Sequence, residues 1–149
     1  MIFGLLALIA AAIFTGAALY VNVAEQPARL NLDDRALLAE WKASYKRGAA
    51  MQAPLALLGF LLGLTAWWQT PHPGFLVGAI AMIAPWPWTL IGIKPTNDAL
   101  LATEPDRAGP QTRALVVKWG ALHGVRTVLG ALATVAFLWA SLLWASLLR

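Results

Sequence analysis

The sequence contains no cysteine and very little charge. Only 12% of its 149 residues are charged, against 60% hydrophobic residues and a mean hydropathy of +0.67. A soluble domain usually has about twice that share of charge. The absence of cysteine excludes disulfides, thiolate catalysis and cysteine metal sites. Glycine-rich nucleotide loops, nucleophile elbows and HExxH motifs are also absent, so we predict neither a metal site nor a cofactor.

The charged residues are missing from long continuous runs. No charged side chain precedes Glu25, none lies between Arg47 and Lys94, and none lies between Arg126 and Arg149. About 20 apolar residues cross a bilayer as a helix. The central run is roughly twice that length, and the segment TPHPG at 70–74 interrupts it with two prolines and a glycine, which favours a turn. The runs therefore predict four membrane-spanning helices.

We predict an all-α fold, a four-transmembrane-helix bundle that forms a single domain over residues 1–149. The pre-proline position of Gln26 favours a helix end there, and the loop from Lys94 to Gln111 separates the last two helices. The second and fourth helices are too long to lie wholly in the membrane, so both should extend into the cytoplasm. The predicted helices cover about residues 3–25, 34–69, 74–93 and 110–148.

The distribution of lysine and arginine predicts the orientation. Four spans place both termini and the TPHPG turn on one side of the membrane and the two charged loops on the other. All of the eleven Lys and Arg residues except Arg149 lie on the loop side. By the positive-inside rule that side is cytoplasmic, so we predict an inner or plasma membrane protein with both termini outside. The lipid bilayer is the expected partner, and the basic pI does not indicate nucleic acid.

One helical stripe near the cytoplasmic interface contains Trp119, His123 and Arg126, three or four residues apart. Ionisable groups inside a membrane bundle usually face its interior and mark a functional site. The other predicted helices and the loop after the third supply polar or aromatic residues at about the same depth. We therefore expect a shared polar chamber, whose further candidates are Asn22, Glu25, Trp41, Tyr45, Gln52 and Asn97.

Five of these residues also have a simpler interpretation. Arg126 could extend to the lipid headgroups, and Trp41 and Trp119 could be interfacial belt residues. His123 could be an isolated core histidine, and Glu25 could form a surface ion pair with Arg29. The other histidine, in the TPHPG turn, is separated from His123 by about 30 Å of bilayer, so the two cannot ligate one metal.

Four segments, ALYVNVAEQPARL, EWKASYKRG, WPWTLIGIKPTN and KWGALHGVRT, together resemble the anthrone oxygenase-like family of small four-span membrane proteins. The resemblance covers essentially the whole chain. Its best motif is the Trp-x3-His-x2-Arg of Trp119, His123 and Arg126, joined by Pro95 and Asn97. The resemblance implies oxidation of an anthrone, or of another lipophilic aromatic or phenolic substrate, by O2 without a metal or flavin.

Under that resemblance, His123 is the expected general base, because the pKa of an ordinary imidazole lies near neutrality. Arg126 and Asn97 would donate hydrogen bonds to the developing oxyanion. Trp119, Trp41 and Tyr45 would stack against a flat substrate, with Asn22, Glu25 and Gln52 completing the binding site.

Two other classes of function stay open from the residues. One is a non-enzymatic membrane module that binds a lipid, haem or quinone, or that supports a partner complex. The other is a small transporter or channel, which ranks lower because the outer parts of the spans show almost no polar lining. Glycine and alanine are frequent in the first and last helices, which is compatible with a homo-oligomer.

Overall fold

The computed structural model describes the backbone of residues 2–147 and the side chains of residues 2–143. Within that part of the chain the fold is all-α, with no strand, and four helices are long and apolar enough to cross a membrane. This confirms the predicted fold class of a four-span membrane bundle. The predicted end of the last helix at Leu148 lies outside the described residues. The helices are α1 (Ile2–Leu30), α2 (Asp34–Gln69), α3 (Pro73–Ala102) and α4 (Pro110–Leu147).

Helix α1 continues beyond the predicted end at Gln26. A π-helical turn at Val21–Glu25 precedes the proline, and the N–H of Gln26 donates to the carbonyl of Val21, five residues back. Gln26 keeps helical angles (φ −62°, ψ −48°) although Pro27 follows it. The prediction of a helix end there was wrong, because the wider turn accommodates the proline ring and the chain resumes α-helix to Leu30.

Helix α3 also contains a π-helical turn before a proline, and it is longer than predicted. Its α-helical hydrogen bonding is interrupted at Ala84, before Pro85, and a π-helical segment follows at Thr89–Ile93. The N–H of Lys94 donates to the carbonyl of Thr89, after which α-helix continues through Pro95 to Ala102. The predicted loop beginning at Lys94 was therefore wrong in its first half. As a consequence, Asn97 lies on a regular helix rather than in a turn.

The four helices form a bundle in which α1 and α3 each pack against both α2 and α4. The half near the α2–α3 turn has a core of small residues around Phe14, Phe75 and Phe137. Gly63 and Gly78 contact the Phe137 ring so closely that a Cβ at either position would clash with it. The other half, where α1 and α3 end, has a core built around Trp41 and Trp119.

Short turns with specific caps join the helices. Asp33 caps α2 by accepting a hydrogen bond from the backbone N–H of Ala36 at 2.9 Å. His72 caps α3: its Nδ1 accepts from the N–H of Gly74 at 3.1 Å, and its ring lies edge-on to Trp139. His72 is thus a half-buried cap at the far end of the bundle from His123.

Candidate functional site

A chamber of about 540 Å³ lies in the half of the bundle that contains the two π-helical turns, and all four helices contribute to its walls. Seven of the predicted site residues line it, which are Glu25, Tyr45, Gln52, Asn97, Trp119, His123 and Arg126. The other two, Asn22 and Trp41, stand behind its wall and contact lining residues. The structure therefore brings the nine predicted residues into one region.

His123 is held in one orientation by Asn22. The His123 side chain is buried, and its Nδ1 lies 3.0 Å from Asn22 Oδ1. Asn22 Nδ2 donates to the carbonyl of Gly120 at 2.8 Å, and Oδ1 also accepts from the hydroxyl of Thr127 at 2.9 Å. Because Oδ1 can only accept, Nδ1 of a neutral His123 must have the proton. The lone pair is then on Nε2, which has no hydrogen-bond partner among the residues described.

Arg126 turns into the bundle rather than toward the lipid headgroups. Its guanidinium carbon lies 5.7 Å from the centre of the Phe14 ring, which belongs to the core near the opposite end. Its Nε is buried without a hydrogen-bond partner. Among residues 2–143, no carboxylate forms an ion pair with it. The interpretation of Arg126 as a headgroup-directed residue does not fit this conformation.

Aromatic rings form one continuous wall. Trp41 stacks on Tyr45 with centroids 5.0 Å apart and planes 7° from parallel, and it meets Trp119 edge-on at 5.7 Å. The Trp119 ring lies 4.9 Å from His123. Trp41 is fully buried and Trp119 is 5% exposed. The membrane-belt interpretation of these two tryptophans was therefore wrong.

Asn97 fixes this wall by joining two of its members. Its Oδ1 accepts from Trp119 Nε1 at 2.9 Å, and its Nδ2 donates to the Tyr45 hydroxyl at 3.2 Å. Since the Tyr45 oxygen accepts that bond, its own O–H proton is available for donation toward the chamber. Asn97 Nδ2 also retains a second N–H.

An ionic cluster centred on the buried Arg29 was not predicted from the sequence. The guanidinium forms ion pairs with Glu25 and Glu40, donates to the Ser44 hydroxyl at 2.8 Å, and lies 5.6 Å over the Trp119 ring. The Arg29 side chain is only 1% exposed, so the interpretation as a surface pair with Glu25 was wrong. The helical spacing of Glu25 and Arg29 was a signal for this cluster, but ending the helix at Gln26 placed Arg29 in a loop.

Two further features complete the site. Gln52 is 2% exposed and faces the chamber, and its Oε1 has no hydrogen-bond partner among the described residues. A second cavity of about 170 Å³ lies between α2 and α3 and meets the chamber at Tyr45, Ala49, Thr89 and Arg126. Within the described residues, no three His, Cys, Asp or Glu side chains are grouped so that they could hold a metal ion.

Comparison with known proteins shows a match to a protein family. A family model described as anthrone oxygenase matches residues 41–136. The matched part begins at Trp41 in α2 and contains Gln52, Asn97, His123 and Arg126; α1, with Asn22 and Glu25, lies outside it. No curated protein and no solved structure matches the chain.

Proposed function

This chain belongs to the anthrone oxygenase family, and on that premise we propose that it oxidises a lipophilic aromatic substrate with O2 in the chamber, without a metal or organic cofactor. One observation supports the proposal most strongly. An imidazole is fixed by Asn22 so that Nε2 is unprotonated, in a buried position beside an aromatic wall and a guanidinium.

The reaction requires three features of the protein: a general base, hydrogen-bond donors for an oxyanion, and an aromatic binding site that excludes water. An anthrone has an acidic CH2 group conjugated with its carbonyl. Loss of one proton gives an enolate, which passes an electron to O2. Recombination forms a C–O bond and a hydroperoxide, and loss of water from it leaves the second carbonyl. The balance is anthrone plus O2 giving anthraquinone plus water.

His123 serves as the general base in this proposal. Nε2 takes the proton from the substrate carbon, while Nδ1–H stays bonded to Asn22 Oδ1 and keeps the ring in place. A positioned base of this kind contributes about a hundredfold to ten-thousandfold in rate. Asn22 is a positioning residue, because it acts on the substrate only through the imidazole.

Arg126 and Tyr45 stabilise the negative charge that develops on the substrate oxygen. The guanidinium has an unpartnered Nε, and the Tyr45 hydroxyl has a free proton because its oxygen already accepts from Asn97. Asn97 can add its remaining N–H, while it also holds Tyr45 and Trp119 in position. Donors that are fixed before the reaction lower its barrier because they do not need to reorganise.

The membrane location suits a substrate that dissolves in lipid. The second cavity reaches the chamber between α2 and α3 beside Trp86 and Leu90, which are 43% and 60% exposed. Under the positive-inside rule the chamber lies at the cytoplasmic leaflet and both termini lie outside. Tagging each terminus and testing its access to an impermeant reagent in intact cells checks that orientation.

The test compares the chain's two histidines. In lipid nanodiscs supplied with 1,8-dihydroxyanthrone and O2, we expect His123→Gln to lower the rate of anthraquinone formation by about a hundredfold or more. The matched control is His72→Gln, which changes the α3 cap at the other end of the bundle and should leave that rate within about twofold of the unsubstituted protein. Empty nanodiscs give the spontaneous rate. Equal rates for both variants would remove His123 as the base.

A further inference from the structure

Arg126 forms no ion pair with any of residues 2–143. Two carboxylates line the chamber, those of Glu25 and Glu40, and both are paired with Arg29. From the other helices, the Phe14 ring lies under the Arg126 guanidinium and Tyr45 lines the same two cavities as Arg126, and neither residue supplies a carboxylate. An unpaired charge within a membrane bundle is costly to keep. An anionic ligand in the chamber would supply the missing counter-ion.

Gln52 is a second chamber residue with a polar atom that lacks a hydrogen-bond partner within residues 2–143. It is 2% exposed, and its Oε1 is buried without a hydrogen-bond partner in the described part of the chain. A buried carbonyl oxygen without a donor is destabilising. A ligand that brings an O–H to this oxygen would remove that penalty.

We propose that Arg126 and Gln52 form a subsite for a lipophilic phenol that binds as its phenolate and has a second hydroxyl beside the ionised oxygen. The phenolate oxygen pairs with Arg126, and the second O–H donates to Gln52 Oε1. The phenol proton leaves to water, so His123 Nε2 keeps its lone pair, and the electron pair of the broken O–H bond stays on the oxygen. Tyr45 and Trp119, which line the chamber in front of the buried Trp41, offer aromatic surface to a flat ring.

This inference rests on the proposed function only in placing the substrate in the chamber. It concerns the state of the bound ligand before any oxygen chemistry. It can therefore be tested with anthraquinones, which already have both carbonyls and lack the CH2 group that the proposed reaction oxidises. The experiment separates failure of the subsite from failure of the oxidation.

The probe is 2-hydroxyanthraquinone, whose visible absorption shifts to longer wavelength when it ionises. With the protein in phosphatidylcholine nanodiscs, we expect the bound probe to ionise at least about one pH unit below its midpoint in empty nanodiscs, since a nearby cation favours the anion by that amount or more. Arg126→Met should abolish this shift and weaken binding about 10- to 100-fold. Arg126→Lys should restore part of both.

Arg47→Met is the matched control, because Arg47 also lines the chamber but is exposed. It should keep the shift. Gln52→Leu should reduce the preference for 2,3-dihydroxyanthraquinone over the monohydroxy probe by about fivefold or more. Unhydroxylated anthraquinone should bind equally to the unsubstituted protein and to Arg126→Met.

Three results would overturn the proposal. One is a shift that survives in Arg126→Met, and another is a shift that disappears in Arg47→Met instead. The third is displacement of the probe by phosphatidylglycerol, which would make a lipid phosphate the anion. If the shift follows Arg126 but 1,8-dihydroxyanthrone is not oxidised, the subsite stands and the oxygenase proposal fails.

Discussion

The hydrogen bond between Asn22 and His123 predicts which ring nitrogen has the proton. Asn22 Oδ1 accepts from Nδ1, and its orientation is fixed by the bond from Nδ2 to the Gly120 carbonyl. Asn22→Leu keeps a side chain of similar size and removes the acceptor. A neutral hydrogen bond contributes about 1 kcal/mol, which corresponds to about fivefold in the population of the productive tautomer. Loss of ring orientation adds to this, so we expect kcat to fall about 10- to 100-fold.

Nitrogen NMR on isotope-labelled histidine measures the tautomer directly. In a His72→Gln background, His123 is the single remaining histidine, so its two ring nitrogens give the only imidazole signals. We expect a protonated Nδ1 and an unprotonated Nε2 in this background, and a mixture after Asn22→Leu. Anthraquinone formation from 1,8-dihydroxyanthrone in the same preparations gives kcat.

Thr127→Val is the matched control. It removes another hydrogen bond to the same Asn22 oxygen without touching the imidazole. The histidine nitrogen signals of Thr127→Val should match those of the His72→Gln protein. The kcat of Thr127→Val should stay within about threefold of the kcat of that protein. A protonated Nε2 before Asn22 is changed, or an unaltered kcat in Asn22→Leu, would refute the assignment of Asn22 as the residue that positions the base.

Further predictions concern stability and colour. Arg29→Met should lower the free energy of unfolding by about 1–3 kcal/mol because it leaves the partly exposed carboxylates of Glu25 and Glu40 unpaired, whereas Arg35→Met, which breaks an exposed pair, should cost less than about 1 kcal/mol; denaturation in mixed micelles compares them. Gly120→Ala places a Cβ 2.7 Å from the Gln26 amide and should cost about 1–3 kcal/mol, whereas Gly124→Ala meets nothing closer than 3.8 Å and should leave the unfolding midpoint nearly unchanged. The purified protein should be colourless, and a haem or flavin absorption band would contradict cofactor-free oxidation.

The number of spans and the region of the site were predictable because both depend on strong, local physical rules. A helix that crosses the bilayer needs a run of about 20 residues without charge. Such runs precede Glu25, separate Arg47 from Lys94 and follow Arg126, and the turn at 70–74 divides the middle run into two helices. Helical spacing placed Trp119, His123 and Arg126 on one stripe, and the structure brings all three to the chamber.

The helix ends were less predictable because they depend on tertiary packing. A proline normally disfavours helix in the residue before it. The residues around Gln26 and Lys94 contain no sequence signal for the π-helical turns that allow the helices to continue past Pro27 and Pro95. The error had a consequence for the site, because Arg29 was assigned to a loop. Hydropathy likewise cannot tell a tryptophan that faces lipid from one that faces the bundle, as Trp41 shows.

The central claim, that the chamber around His123 inserts an atom of dioxygen into an aromatic substrate, is tested most directly by isotope labelling. The protein in nanodiscs is loaded with 1,8-dihydroxyanthrone without oxygen, then exposed to isotopically labelled O2 in unlabelled water, and the quinone is analysed by mass spectrometry. We expect one labelled oxygen atom in the new carbonyl, formed at a rate that depends on His123. A carbonyl oxygen derived from water, or labelled product formed equally fast by His123→Gln, would contradict it.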